Sequence, residues 1–160
     1  MNSKPILCLL KHCPEHIPAI AKWHYQEWGA LFPEKSAADF ASDLAATLND
    51  AELPISWVLL LEQQVVGTAS ILLQDMQTNR DLSPWLANIY LAPAARGKGL
   101  GKWLVLQVMQ QAQQLGLTKL YLFTEDKPEF YQQLGWQPLQ QELYEGKRVT
   151  VMHWQAKCSK

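Results

Sequence analysis

The residues best suited to chemistry lie in one seven-residue segment, Arg96 to Lys102, which holds three glycines and three cations. Glycines let the backbone turn tightly and present successive N–H groups without interference from side chains. A long segment with helical periodicity follows, and a helix that begins there would direct the positive end of its dipole to the same place. An oxyanion such as phosphate suits this geometry. The alternative is that the segment is only a flexible, glycine-containing loop whose basic side chains are solvated. The position of the segment between a strand pattern and a helix pattern favours the anion site.

Two common phosphate-binding patterns do not match this segment. A Walker loop has glycine five residues before its Gly-Lys pair and Ser or Thr after the pair, but these positions hold Arg96 and Trp103. A dinucleotide-binding pattern, G-x-G-x-x-G, would need glycine in place of Lys102 or Leu104. The segment therefore offers phosphate-binding chemistry without either of these frameworks.

The elements that must position this segment follow from the periodicity of the apolar residues. Ser36 is the predicted N-cap of the second helix, and Glu62-Gln63-Gln64 is the predicted turn of the first hairpin. In chain order the predicted elements are a strand at Ile6–Leu10, helices at Ile17–Trp28 and Ala37–Leu48, strands at Ser56–Leu61, Val65–Leu73 and Trp85–Leu91, a helix at about Gly99–Leu115, a strand at Lys119–Phe123, a short helix at Pro128–Leu134, and strands at Gln137–Gln141 and Val149–Trp154. This order, β-α-α-β-β-β-α-β-α-β-β, predicts an α/β domain with a mixed, partly antiparallel sheet and helices on both faces.

Length and composition fit a single globular domain over residues 1–160, with 48% hydrophobic and 18% charged residues. Fourteen basic and fifteen acidic residues give a formal net charge of -1. This balance argues against a broad basic face for nucleic acid or anionic lipid. We therefore expect no nucleic-acid or membrane partner, and the sequence does not distinguish a monomer from a homodimer.

The cysteines favour a reducing compartment. Cys8, Cys13 and Cys158 include no C-x-x-C pair, which argues against a disulfide framework or a zinc ribbon. The apolar run Ile6–Leu10 is too short for a signal-peptide core or a membrane span. A cytoplasmic location is the prediction. We also expect no metal, because Pro14 and the helical pattern after it make the polar cluster at residues 12–16 a helix start.

Two motifs carry a family resemblance. They are Arg96-x-x-Gly99-x-Gly101, between a strand and a long helix, and Phe130-Tyr131-Gln132-Gln133-Leu134-Gly135-Trp136 on the short helix downstream. At both motifs, and in its order of elements, the chain resembles the GNAT superfamily of acetyl-CoA-dependent N-acetyltransferases. The resemblance implies a GNAT-like fold and acetyl-CoA as the acyl donor. It also implies direct transfer of the acetyl group to a primary amine of a small molecule or peptide.

The resemblance further implies a donor site around the glycine segment. In the family the preceding strand splays from the next one, so the main chain of Ile89, Tyr90 and Leu91 would bind the pantetheine arm of coenzyme A. Thr124 stands where relatives often have an asparagine against that arm. The residues implied to hold the diphosphate are Arg96, Gly97, Lys98, Gly99, Leu100, Gly101 and Lys102.

Tyr131 lies where the family has its general acid. A phenol with a pKa of ~10 is protonated at pH 7 and is able to give its proton to a departing thiolate. The alternative is that Tyr131 only packs beside Phe130 in a short amphipathic helix.

The acceptor side is less defined by the sequence. The strand at residues 85–91 lacks the carboxylate that some relatives use as a base, so water, Asp75, Asp81 or Glu125 remain candidates for the base. By resemblance, Trp28, Phe32, Asp75 and Asp81 would line the acceptor cleft, and aromatic rings with carboxylates suit a cationic amine. The alternative for these residues is core packing and turn formation. The alternative function is a non-catalytic coenzyme A-binding sensor or interaction module on the same fold.

Overall fold

Seven strands form one sheet in the computed structural model, which describes residues 4–157. In chain order they are β1 (Ile6–Leu9), β2 (Ile55–Leu61), β3 (Gln64–Leu72), β4 (Trp85–Leu91), β5 (Lys119–Thr124), β6 (Gln137–Tyr144) and β7 (Lys147–Gln155). Across the sheet the order is β1-β2-β3-β4-β5-β7-β6. Neighbouring strands are antiparallel except β4 and β5, which are parallel. The predicted mixed, partly antiparallel sheet is confirmed.

Helices cover both faces of this sheet, as predicted. They are α1 (Ile17–Trp28), α2 (Ala37–Ala45), α3 (Leu100–Gln114) and α4 (Pro128–Gln132). The alternation of side chains along β2 divides the core into two layers. Trp57 and Leu59 are buried in the layer that contains α3 and α4, whereas Val58 between them packs in the layer that contains α1 and α2.

Helix α2 begins where the sequence predicts and ends three residues early. Asp39 N–H donates to the Ser36 hydroxyl at 3.2 Å and Ser36 N–H donates to the Asp39 carboxylate at 2.8 Å, which is a capping box. After Ala45 the Thr47 N–H and hydroxyl both donate to the Leu44 carbonyl, at 2.9 and 2.7 Å. Because a side chain then competes for the helical carbonyl, the last turn tightens and the helix stops before Leu48.

The two hairpins differ from their predicted lengths. The β2–β3 turn uses only Glu62 and Gln63, at φ values of 53° and 68°, so that Gln64 already belongs to the strand. A two-residue turn with both φ values positive matches the right-handed twist of its strands. The last hairpin extends to Tyr144 and Lys147, through polar residues whose side chains give no alternating pattern because both strand ends are largely solvent-exposed.

Three further expectations from the sequence concern the cysteines, membrane-spanning helices and metal sites. Cys8 and Cys13 are free thiols with sulfur atoms 3.3 Å apart, whereas Cys158 lies outside the described residues. Within residues 4–157 no helix is long and apolar enough to cross a membrane. In the same range no group of three or more His, Cys, Asp or Glu side chains is arranged to hold a metal ion.

Candidate functional site

The two parallel strands diverge at the centre of the sheet. Their ladder contains only the pair Trp85 and Tyr121, next to a hydrogen bond of 2.9 Å from Tyr121 N–H to the Pro84 carbonyl. Strand β5 instead pairs along its whole length with β7. In the described part of the chain, the main chain at residues 89–91 therefore has no ladder partner on the β5 side. A gap opens there between the carboxyl ends of β4 and β5.

A bulge in β4 lies at the start of this gap. Thr68 pairs with Tyr90 and Ser70 pairs with Ala87, so β4 has one residue more than β3 over this interval. Asn88 absorbs the extra residue with a φ of 57°, a value that Asn adopts more readily than most residues. Bulges increase strand twist and re-aim the chain, which accounts for the divergence of β4 from β5.

The glycine segment closes one end of the gap. Gly97 and Gly99 have φ values of 78° and 79°, and an added Cβ at either position would meet no atom within 4 Å. Glycine is therefore required for backbone conformation, not for space. Gly99 is the N-cap residue of α3, and no side chain caps this helix. The first N–H groups of α3 thus remain available to an oxyanion.

Arg96 joins this segment to the end of β4. Its Nε donates to the Leu91 carbonyl at 3.0 Å, and its guanidinium lies 5.3 Å from the centre of the Tyr90 ring. Of the predicted diphosphate residues, the structure places Arg96, Gly97, Gly99, Gly101 and Lys102 in the wall of a cleft, whereas Lys98 and Leu100 do not line it.

That cleft has a volume of about 1020 Å³ and extends from the glycine segment, past the β4–β5 gap, to α1 and the β3–β4 loop. Ile89, Tyr90, Leu91 and Thr124 line the half next to the β4–β5 gap. Trp28, Phe32 and Asp75 line its other half. Asp81 is exposed on the β3–β4 loop and does not line the cleft, so the structure does not bring it to the predicted acceptor residues.

Tyr131 also lines the cleft and is 8% exposed. The α4 helix holds it between Phe130 and Trp136, whose rings lie 5.0 and 6.3 Å away and meet it edge-on. Within residues 4–157 its hydroxyl has no hydrogen-bond partner. Burial, with a smaller contribution from the negative charge of Asp126, raises the pKa of Tyr131 to about 12. The phenol is therefore fully protonated at neutral pH and is a proton donor.

Thr124 has a structural partner in addition to its place in the cleft wall. Its hydroxyl oxygen accepts a hydrogen bond of 3.2 Å from Lys127 N–H, just before α4. The hydroxyl proton remains available for donation, so the residue serves the turn and still presents a donor.

Three side chains in the cleft wall differ in their electrostatics. Burial raises the pKa of Asp75 to about 7, and the described residues offer its carboxylate no hydrogen-bond or ion-pair partner. Burial lowers the pKa of His24 to about 4, although a hydrogen bond to the Asn88 backbone opposes the shift. Glu125, another candidate base, faces Lys147 at 3.6 Å.

Sequence analysis does not identify His24 or Gln74 as residues of the cleft wall. The case of His24 is instructive. Its position in the apolar stripe of α1 predicts core packing, and it is indeed 3% exposed and 5.1 Å from the Trp28 ring. Only the three-dimensional structure shows that His24 also lines the cleft. A histidine inside an otherwise apolar helical stripe is the signal in the sequence.

Comparisons with known proteins agree with this geometry. Residues 17–136 match the sequence pattern of the family described as "Acetyltransferase (GNAT) family". A curated relative, "Uncharacterized N-acetyltransferase YjgM" of Escherichia coli (strain K12), is 34% identical over 91 residues, which are 54% of this chain and 53% of that protein. The matched segment thus spans about half the length of that relative.

Solved structures share the fold at low sequence identity. Aminoglycoside 6'-acetyltransferase type Ii has a TM-score of 0.73 at 16% identity, over 97% of this chain and 99% of that one. YncA from Salmonella typhimurium, solved with its cofactor acetyl-CoA, has a TM-score of 0.71 at 16% identity, over 96% of this chain and 94% of that one. At this level of identity the similarity shows the fold.

Proposed function

Because this chain belongs to the GNAT acetyltransferase family, we propose that it transfers an acetyl group from acetyl-CoA to a primary amine of a small molecule or peptide. The observation that carries the proposal is the divergence of β4 and β5 beside an uncapped helix N-terminus. A cleft of this shape has main-chain groups along one wall for an extended arm and backbone N–H groups at its mouth for phosphates.

The donor site uses the residues that line this part of the cleft. Main-chain groups of Ile89, Tyr90 and Leu91 bind the pantetheine arm, and the hydroxyl of Thr124 adds a weaker contact. Arg96 and Lys102 supply positive charge to the diphosphate while the glycine segment supplies N–H donors. The fit is supported by the open space around Gly97 and Gly99, where the backbone is free of side chains.

Tyr131 is the proposed general acid. The amine nitrogen attacks the thioester carbonyl directly, the C–S bond breaks, and the thiolate takes a proton from the Tyr131 hydroxyl. Because its pKa is raised, Tyr131 carries its proton at the pH of reaction and can donate it to the thiolate. The product thiol, with a pKa of ~8.5, is the stronger acid, so the transfer goes to completion only when the phenolate is reprotonated. The tyrosine recovers a proton from the newly acylated nitrogen, directly or through water.

Two measurements test the proposed function. Coenzyme A should raise the melting temperature of the protein, since it binds only the folded state. A thiol-release assay with acetyl-CoA and a panel of primary amines should show amine-dependent turnover. Stabilisation by coenzyme A without turnover on any amine would instead support the non-catalytic sensor, and an absence of both would refute the donor site.

A further inference from the structure

Two thiols lie in contact in the layer of the core that contains α1 and α2. Cys8 belongs to β1, Cys13 lies in the segment between β1 and α1, and their sulfur atoms are 3.3 Å apart. Both thiols are free. Neither residue lines the cleft, so the pair is separate from the donor and acceptor residues discussed above.

The turn after β1 brings the two thiols together. Leu10–His12 form a short 3-10 helix, and Cys13 N–H donates to the Leu10 carbonyl at 2.9 Å. The Cys13 sulfur also lies 3.2 Å from the Leu9 carbonyl, at the end of β1. These contacts hold Cys13 beside Cys8 before any reaction, and two groups held in contact react far faster than the same groups meeting from solution.

The two thiols differ in their access to solvent. Cys8 is half-buried on β1, which is an edge strand of the sheet. Cys13 is only 6% exposed and is buried in one cluster with Leu10 and Ile20. A small oxidant in solvent therefore reaches Cys8 first.

The surroundings of Cys13 also favour its protonated form. Burial, with smaller contributions from Cys8 and Glu15, raises the pKa of the Cys13 thiol to about 12. Its S–H has two acceptors within reach, the Leu9 carbonyl and the Cys8 sulfur. Because the thiolate is the nucleophile in thiol oxidation, Cys13 is a poor first site of attack on an oxidant.

We propose that Cys8 and Cys13 form a site of reversible oxidation, at which a small hydroperoxide oxidises Cys8 and Cys13 then closes an intramolecular disulfide. A sulfenic acid condenses readily with a neighbouring thiol, whereas a second oxidation converts it to sulfinic acid, which simple thiols do not reduce. Contact with Cys13 therefore directs Cys8 to the reversible product. This site does not depend on the proposed transfer of an acetyl group.

The atoms and electrons of both steps balance. The Cys8 thiolate attacks one oxygen of the hydroperoxide, the O–O bond breaks, and the departing oxygen takes up the proton that Cys8 had lost. The Cys13 sulfur then attacks the Cys8 sulfur, the S–O bond breaks, and the Cys13 proton leaves with that oxygen as water. Two thiols are oxidised to one disulfide, while the hydroperoxide is reduced to an alcohol and water, or to two waters when it is hydrogen peroxide.

Peptide mapping of the full chain after treatment with hydrogen peroxide tests the assignment. The remaining thiols are alkylated, and the denatured protein is digested with trypsin without reductant. Trypsin cuts after Lys11, between the two cysteines, so the disulfide appears in the mass spectrum as two linked peptides. We expect this link, its reversal by dithiothreitol, and no covalent dimer on a non-reducing gel. Cys158→Ser, the matched control, should form the same link.

Two serine variants separate the roles of the thiols. In Cys13→Ser, Cys8 has no partner and should accumulate as sulfenic acid, which dimedone traps, and then as sulfinic acid. In Cys8→Ser, burial still protects Cys13, whose oxidation should be at least about tenfold slower than that of Cys8 in Cys13→Ser. Each variant is compared at a temperature well below its thermal transition.

Mapping of the parent protein decides the disulfide even where a serine variant fails to fold. The inference is overturned if peroxide leaves both thiols free, if Cys8 becomes sulfinic acid without forming the link, or if the link joins two chains or involves Cys158. Equal oxidation rates for Cys13 in folded Cys8→Ser and Cys8 in folded Cys13→Ser would also overturn it, because Cys8 would then not be the first site of attack.

Discussion

At the scale of single residues, Tyr131 carries the sharpest prediction. Tyr131→Phe keeps the ring and its edge-on contacts with Phe130 and Trp136 but removes the proton donor. We expect kcat to fall by about 100-fold where chemistry limits the rate, with the melting temperature and coenzyme A affinity nearly unchanged. Steady-state kinetics beside calorimetry with coenzyme A checks this. Turnover at the parent rate, with product release shown to be fast, would make solvent the proton source.

Asp75, a candidate for the base, carries two pH dependences with opposite signs. Its carboxylate must be ionised to take a proton, so kcat/KM for an aliphatic amine should rise with pH through about 7 and then level off. Asp75→Asn should lose this rise. A parent pH profile that is flat between pH 5.5 and 8.5 would argue against Asp75 as the group that takes the proton.

The second dependence concerns stability. Because the folded-state pKa of Asp75 lies above the unfolded value, the folded protein binds the proton more tightly and loses stability as pH rises from about 4 to 7. In the absence of ligand, the melting temperature of Asp75→Asn minus that of the parent should therefore increase over this pH range. At higher pH the difference should stay at its maximum. Thermal denaturation at several pH values measures this, and a difference that shrinks as pH rises would contradict the assignment.

Sequence alone reaches part of this site. Tyr131 and the glycine segment stand in local patterns, so they can be named before the fold is known. His24 and Gln74 cannot, because each is distinguished by a buried polar atom without a partner among the described residues and by a place in the cleft wall, and both properties depend on distant elements. Asp81 is the opposite case. Its position in the chain suggests a place at the acceptor site, but in the structure its side chain is exposed to solvent.

At the scale of elements, the glycine segment gives a matched pair of variants. Gly99 and Gly116 lie at the two ends of α3, have φ values of 79° and 85°, and each has open space where a Cβ would be. Valine is strained at either position. Gly99→Val should weaken coenzyme A binding by at least tenfold, because the N–H groups of the turn change direction, whereas Gly116→Val should leave it unchanged.

Both variants should lose comparable amounts of thermal stability, which separates strain from loss of the site. Calorimetry on each folded variant is the measurement. Equal coenzyme A affinity in Gly99→Val and Gly116→Val would remove the segment from the donor site. Binding by the parent should also weaken with added salt, because Arg96 and Lys102 contribute through charge.

Element order follows from the sequence because each strand and helix has a clear apolar period. The divergence of β4 from β5 does not, since residues 85–91 and 119–123 both have the pattern of regular strands. It depends on the extra residue at Asn88 and on which strand becomes the neighbour of β5. Likewise the early end of α2 depends on one hydroxyl, that of Thr47, which no periodicity records.

At the scale of the whole molecule, charge balance limits the range of partners. A formal net charge of -1 gives no extended basic track, so duplex DNA should bind more weakly than about 1 μM at physiological salt. Fluorescence anisotropy with a labelled duplex tests this. A tighter, salt-sensitive complex would show that the cations cluster in a way that net charge does not reveal.

The most direct test of the account follows an isotopically labelled acetyl group from acetyl-CoA in a reaction with the best amine of the panel. Mass spectrometry should show the label on the amine as an amide, in equal amount to the free thiol released, with the mass of the intact protein unchanged. Such a result is required for direct transfer within the cleft between β4 and β5. Thiol release without labelled amide, or an acetylated protein on the route to product, would contradict it.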